Sequence, residues 1–132
     1  MRYRYLTVSD VARIGDREAG ENLLVDFGML EAAVLRPQST VGGVDAYPDI
    51  HSKAAALLHS LARNHPFIDG NKRVAATAMI VFYLWNGFNF HAEQDELVAL
   101  VTDVAAGLLD VDQIAAMLKH HAWDAIDTLP DT

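Results

Sequence analysis

Residues 63–73 read RNHPFIDGNKR, and they place a possible base, a possible metal ligand and three positive charges within eleven positions. Histidine is the side-chain type that takes and gives protons near neutral pH, which makes His65 the candidate general base. Asp69 offers a hard carboxylate oxygen of the kind that holds Mg²⁺ beside substrate phosphates. Gly70 permits a tight turn, and Asp69 or Asn71 can cap a helix that opens there. The first backbone N–H groups of such a helix point back at the loop and attract anions, phosphates above all. Lys72 and Arg73 then fall in the first helical turn, where a cation opposes the helix dipole at about 0.3–1 kcal/mol each. Two cations there are a poor choice for folding alone and a good one if a polyanion sits on them. Lys72 and Arg73, with the backbone amides of the helix start after Gly70 and Asn71, are therefore the candidate phosphate-binding groups, and the chemistry is that of a nucleotide-using transferase. Each part also has a blander reading. A histidine before a proline is often structural, Asp-Gly-Asn is often only a turn, and Lys-Arg is often a solvated pair. Phe67 and Ile68 read as packing residues that anchor the loop.

The elements that must position this loop are mostly helical. Thr7 with Asp10 forms a capping-box pattern opening a helix over 8–18. Asp26 caps a second, in which Leu30, Ala33 and Val34 keep helical spacing up to the stop at Pro37. Residues 39–50, STVGGVDAYPDI, have paired glycines and alternating valines, which predict an exposed flap or short hairpin. Ala54, Leu57, Leu58 and Leu61 mark an amphipathic helix over 51–64, and Pro66 keeps it from running on. The run Val74–Leu84, broken only by Thr77, predicts a buried core helix ending at Gly87 in the left-handed conformation. Two further helices follow over 92–106 and 111–121, the first with His91, Glu93, Asp95 and Glu96 around its start in accord with the dipole. Trp85, Phe88 and Phe90 read as core. His51 and His59 lie eight apart, and His120 and His121 are adjacent, so neither pair has the i, i+4 spacing of a helical zinc site. The expectation is one domain over 1–132, all-α, a helical bundle around a buried central helix with a flap before the motif. Residues 125–132 are expected to fray.

Composition narrows the partners. With 18 acidic and 10 basic residues the net charge is −8, which argues against direct nucleic-acid binding and against an anionic membrane surface. There are no cysteines, which removes disulfides and thiolate metal sites. No apolar signal core follows the N-terminal arginines, and the longest apolar run falls short of the roughly 18–20 residues that cross a bilayer. A cytoplasmic location is expected.

The motif HPFIDGNKRVA resembles the signature of the Fic/Doc family, His-x-Phe-x-Asp/Glu-Gly-Asn-Gly-Arg-x-x-Arg, with His65, Phe67, Asp69, Gly70, Asn71 and Arg73 matching. The likeness extends over roughly residues 27–121, through LRPQS before the flap and NGF after the motif helix. Two positions depart from the Fic adenylyltransferase pattern. Lys72 stands where those enzymes have a second glycine, and Ala76 where they have the final arginine. The Asn-Lys-Arg version is that of the Doc toxins.

The resemblance implies a Fic-fold toxin of the Doc (death-on-curing) type that uses ATP and Mg²⁺. ATP would bind the other way round from the adenylyltransferases, so that its γ-phosphate is delivered. The implied target is a threonine of elongation factor Tu, halting translation, and the implied inhibitor is a Phd-type antitoxin. Carried over residue by residue, His65 takes the acceptor's proton, Asp69 holds Mg²⁺, and Asn71, Lys72 and Arg73 hold the phosphate. The flap residues Ser39, Thr40, Val41, Gly42 and Gly43 would align the target by strand-like pairing. No internal inhibitory Ser/Thr-x-x-x-Glu-Gly/Asn motif is present: REAGEN, residues 17–22, has Arg17 where the hydroxyl residue belongs. An AMP-transferring Fic protein and a catalytically inactive antitoxin-binding module are the alternatives. Arg63 has two readings, a reach to the same phosphates or a cap on the end of its own helix.

Overall fold

Helix starts in this chain are mostly written as acceptor side chains. In a computed structural model, which describes residues 2–128, Thr7 accepts from the Asp10 amide while the Asp10 carboxylate accepts from the Thr7 N–H, opening helix α1, Val8–Glu18. Asp26 accepts from the Met29 amide at the start of α2, Phe27–Leu35. Reciprocal boxes open α3, Ile50–Asn64, through Asp49 with Ser52, and α6, Val111–Lys119, through Asp110 with Gln113. Each satisfies amides that have no partner inside the helix. Helix α4, Asn71–Trp85, starts at Gly70 without a side-chain cap. Helix α5, Gln94–Ala105, also lacks one but carries Asp95 and Glu96 in its first turn.

Two antiparallel hairpins complete the described chain. Strands β1, Thr40–Val41, and β2, Val44–Asp45, pair Thr40 with Asp45 and Val41 with Val44. Gly42 and Gly43 turn between them with φ of 58° and 81°, a geometry open to glycine and strained for most other residues. This is the expected flap. The second hairpin was not expected: β3, Phe88–Phe90, pairs with β4, Ala122–Asp124. It forms because α6 stops at Lys119, two residues short of the expected end, and the chain then turns back along the segment after Gly87. Gly87 itself has the expected left-handed φ, 81°. Within the segment expected to fray, residues 125–128 form a 3₁₀ turn, and 129–132 lie outside the described residues.

The bundle is all-helical apart from these hairpins, and its centre is α3. Eleven of its fifteen residues are buried, against six of fifteen in the more apolar α4. The small Ala54, Ala55, Ala56 and Ala62 let α2, α4, α5 and α6 approach it from several sides. The apolar run in α4 had pointed to α4 as the buried helix. Its outer face is in fact open, with Leu84 52% exposed. Packing on all sides depends on small residues as much as on greasy ones. Trp85, Phe88 and Phe90 pack against the core while remaining partly exposed. Among the described residues no helix is long and apolar enough to cross a membrane.

Candidate active site

The motif loop joins the two best-buried helices, and backbone bonds clamp it. Val25 and Asp26 N–H donate to the Pro66 carbonyl at 2.9 and 3.1 Å, and the Ile68 N–H donates to the Leu23 carbonyl at 2.8 Å. Phe67 is 4% exposed, and its ring fills the slot left by Gly15 in α1, where an added Cβ would lie 2.4 Å from the ring edge. This explains a glycine inside a helix, a position that otherwise weakens it. Ile68, paired with Phe67 in the sequence reading as an anchor, points the other way and is 67% exposed.

Around that anchor the sequence candidates come together. His65, Asp69, Gly70, Asn71, Lys72 and Arg73 line one depression of about 320 Å³, with Ile68 and Ala105. His65 follows the last turn of α3 with φ 49° and ψ 55°, a left-handed conformation that projects an exposed imidazole beside the loop. Pro66 was expected to end the helix, and it does so through this left-handed residue rather than an extended one. Asp69 Oδ1 accepts from the Gly70 N–H at 2.8 Å, and the carboxylate is exposed. Asp69 therefore shapes the turn and keeps oxygen available, but it is not the N-cap of α4, and neither is Asn71. The cap is Gly70, at φ 79°, where an added Cβ would meet the Ala19 Cβ at 2.4 Å.

Asn71 spends its side chain on the loop. Its Oδ1 accepts from the Phe67 N–H at 3.0 Å and its Nδ2 donates to the Phe67 carbonyl at 2.8 Å. The first turn of α4 closes with the Val74 N–H on the Gly70 carbonyl. The amides of Asn71, Lys72 and Arg73 precede that bond and are the helix-start donors. Arg73 is oriented by its Nε, which donates to the Glu18 carbonyl at the end of α1 at 3.0 Å.

Lys72 and Arg73 also border a second depression of about 310 Å³ between α4 and α5, whose walls include Ala76, Leu97, Val98 and Val101. Two cations thus divide a polar hollow from an apolar one. Among the described residues there is no group of three or more His, Asp or Glu side chains able to hold a metal alone. The exposed Asp69 carboxylate would suit a magnesium ion that takes most of its ligands from water and nucleotide phosphates.

Three features were missed or left open in the sequence. Arg63 Nη1 donates to the Ala105 carbonyl at 2.9 Å, so it caps α5 rather than its own helix and braces one wall of the polar depression. The 23–26 clamp carries no local signal, because it is a pairing across forty residues or more. The flap residues Ser39, Thr40, Val41, Gly42 and Gly43 are exposed and do not line the motif depression. Their hairpin is held beside Lys53, roughly 18 Å along α3 from His65 at 1.5 Å per residue.

Away from the loop, the other helical histidines are tied to single partners. His51 Nδ1 lies 2.9 Å from the Tyr83 hydroxyl, and burial lowers the His51 pKa. His59 Nδ1 lies 2.7 Å from Arg36 Nη1, and burial first, then the charges of Arg36 and Arg63, lower its pKa against a weaker pull from Asp110.

The comparisons agree with this geometry. Residues 5–83 match the model of the Fic/DOC family. A "Toxin Doc" from Mycolicibacterium smegmatis (strain ATCC 700084 / mc(2)155) is 50% identical over 121 residues, covering 89% of this chain and 93% of that protein. With a family match spanning the motif and a relative aligned over nearly the whole length, the chain belongs to the Fic/DOC family and is of the Doc type.

Proposed function

We propose that this protein is the cytoplasmic toxin of a toxin–antitoxin pair and transfers the γ-phosphate of ATP to a threonine hydroxyl of elongation factor Tu. The observation that carries the reading is the start of α4. Lys72 and Arg73 sit at a helix start with no side-chain cap, in the same depression as an exposed histidine and an exposed carboxylate.

In the proposed reaction His65 removes the proton of the acceptor hydroxyl as its oxygen attacks the γ-phosphorus. The bond from that phosphorus to the β–γ bridging oxygen breaks, ADP leaves, and the proton stays on His65 until water takes it. Lys72, Arg73 and the amides at the start of α4 hold the phosphate oxygens while their charge redistributes, the main contribution a protein makes to phosphoryl transfer. Asn71 contributes through its backbone amide, since its side chain fixes the loop. Asp69 would hold Mg²⁺, whose chemistry is to neutralise charge between neighbouring phosphates.

Lys72 also argues against AMP transfer. It fills the glycine position of the adenylyltransferase pattern, and Ala76 in the arginine position leaves an apolar wall where that pattern needs a cation. The flap would dock the target, which must present an extended segment: roughly 18 Å between the flap anchor and His65 corresponds to about five or six residues of strand. The apolar depression between α4 and α5 suits a segment of a Phd-type antitoxin that folds on binding, next to the cations it would block.

The test uses antitoxin-free protein, elongation factor Tu, Mg²⁺ and ATP labelled at either the α- or the γ-phosphate. Label arriving from the γ position is the expected result. Label from the α position overturns the kinase reading for adenylylation. No transfer to any protein of a whole-cell lysate reduces the chain to a binding module.

A further inference from the structure

Among the described residues one charged side chain lies fully inside the molecule and has no part in the reaction described above. Lys53, in the first turns of α3, is 0% exposed. A buried ammonium is retained only when it is paired and hydrogen-bonded. Its Nζ donates to Asp45 Oδ2 at 3.0 Å and to the Pro37 carbonyl at 3.3 Å. It lies 4.9 Å from the ring centre of Tyr3 and 5.6 Å from that of Tyr5. Burial works to lower its pKa, but Asp45 and Tyr5 outweigh it and the net direction is upward, so the charge is kept.

What Lys53 joins is specific. Pro37 precedes the flap and Asp45 ends it, so one ammonium grips both legs of the hairpin. A second tether, from Arg36 Nε to the Tyr47 hydroxyl at 2.8 Å, closes the same loop one residue further out on the first side and two on the second. The register then fixes which way the hairpin faces. Thr40 and Asp45 form one cross-strand pair, and Val41 and Val44 the next. Neighbouring pairs point to opposite faces. With Asp45 held inward on Lys53, Val41 and Val44 are turned outward, 75% and 69% exposed. Two apolar side chains so exposed at a hairpin tip are a surface for something else to cover.

We infer that Lys53 is a positioning residue for protein-substrate docking: it locks the flap so that the Val41–Val44 pair and the free strand edge face the incoming segment. The inference rests on the reading that the flap docks the substrate. Because the lock lies roughly 18 Å along α3 from His65, its loss acts on docking and leaves the transfer step and the nucleotide alone.

The experiment compares the wild type with Asp45→Asn, Lys53→Met and the double variant Val41→Ser/Val44→Ser. Elongation factor Tu and γ-labelled ATP are the kinetic probes, and ¹⁵N relaxation of residues 40–45 is the conformational one. Asp45→Asn is expected to raise KM for the protein substrate about three- to tenfold and Lys53→Met further, with kcat and KM for ATP within about twofold. Backbone order parameters of the hairpin should fall from near 0.85 towards 0.6 or below, while those of α3 and α4 stay put. If hairpin order is unchanged in both single variants, the lock does not exist. A loosened hairpin with unchanged protein KM also overturns the inference, leaving Lys53 a structural brace. Should Lys53→Met fail to fold, Asp45→Asn decides, since that carboxylate is half exposed. The valine variant tests the underlying reading separately: an unchanged protein KM there means that the flap does not dock the substrate. If the wild type labels no elongation factor Tu, the proposed function fails on its own account and the order parameters alone judge the lock.

Discussion

At the start of α6 the Asp110 carboxylate accepts from the Gln113 amide, and the Gln113 side chain accepts from the Asp110 N–H. An acidic residue, Asp112, adds to the favourable dipole there. At the start of α4 the cap is Gly70, which has no side chain to offer, and the first turn holds Lys72 and Arg73 with no acid. The two sites have the same orphan amides and the same dipole. In α6 the chain satisfies them with its own groups, and the helix start is closed. In α4 it leaves them facing a hollow and adds cations, so the start is stable only in the sense that the rest of the fold holds it. A helix start that is bad for folding and well braced from outside is a stronger sign of a ligand site than any single residue in it.

Substitutions can break or sharpen this contrast. The largest effect is expected from His65→Ala, which should cut phosphoryl transfer by about 10²–10⁴-fold, the usual span for a lost general base. Its thermal unfolding should stay cooperative. A variant that still arrested growth at the wild-type level would remove His65 from the role of base. Next comes Lys72→Glu, in which activity and stability should move in opposite directions. Transfer should drop at least about 10²-fold, while the helix start gains about 1 kcal/mol from the reversed charge. Chemical denaturation of the nucleotide-free protein measures the second part, and a loss of stability would mean that Lys72 is a folding residue after all.

Asp110→Ala should behave in the reverse sense, losing about 0.5–2 kcal/mol of stability with kcat unchanged. Equal damage to activity from this distant cap would erase the distinction between the two helix starts. The smallest effect is on pH dependence. His59 and His51 have pKa values below the ordinary 6.5 in the folded protein. The unfolded chain therefore binds more protons below that value, so stability falls as pH drops through 6.5 and rises again with pH. A melting series from pH 7.5 to 5 should show a decline of a few degrees, and His59→Gln should flatten part of it. A wild-type melting point unchanged over that range would show that these rings carry no such penalty.

Much of the site was legible because its signals are local. His65, Asp69, Gly70, Lys72 and Arg73 lie within nine positions, and a cation in a first helical turn stands out against simple dipole rules. The capping box at Thr7 and the cap at Asp26 were legible for the same reason. What the sequence hid was long-range. The β3–β4 hairpin joins segments more than thirty residues apart, and the clamp of residues 23–26 on the loop is a backbone affair with no side-chain signature. Asn71 looked like a phosphate ligand because its type allows it, yet only the folded loop shows its amide turned back on Phe67. Arg63 similarly had two local readings, and neither anticipates its bond to the carbonyl of a helix forty-two residues away. The burial of α3 was hidden by its alanines, which contribute little hydrophobicity and a great deal of room.

The left-handed backbone of His65 has a further consequence, for mutational inheritance. Glycine adopts that conformation freely and is the common residue just past a helix end, whereas histidine holds it under some strain. The residue assigned the base occupies a position where the fold would favour another. His65→Gly should therefore be better tolerated structurally than His65→Ala, and loss of activity by that route would carry little cost in stability. If the protein is a toxin, escape from it by disabling the base is structurally easy. Persistence of the histidine would then have to come from selection on the reaction, with no help from selection on the fold.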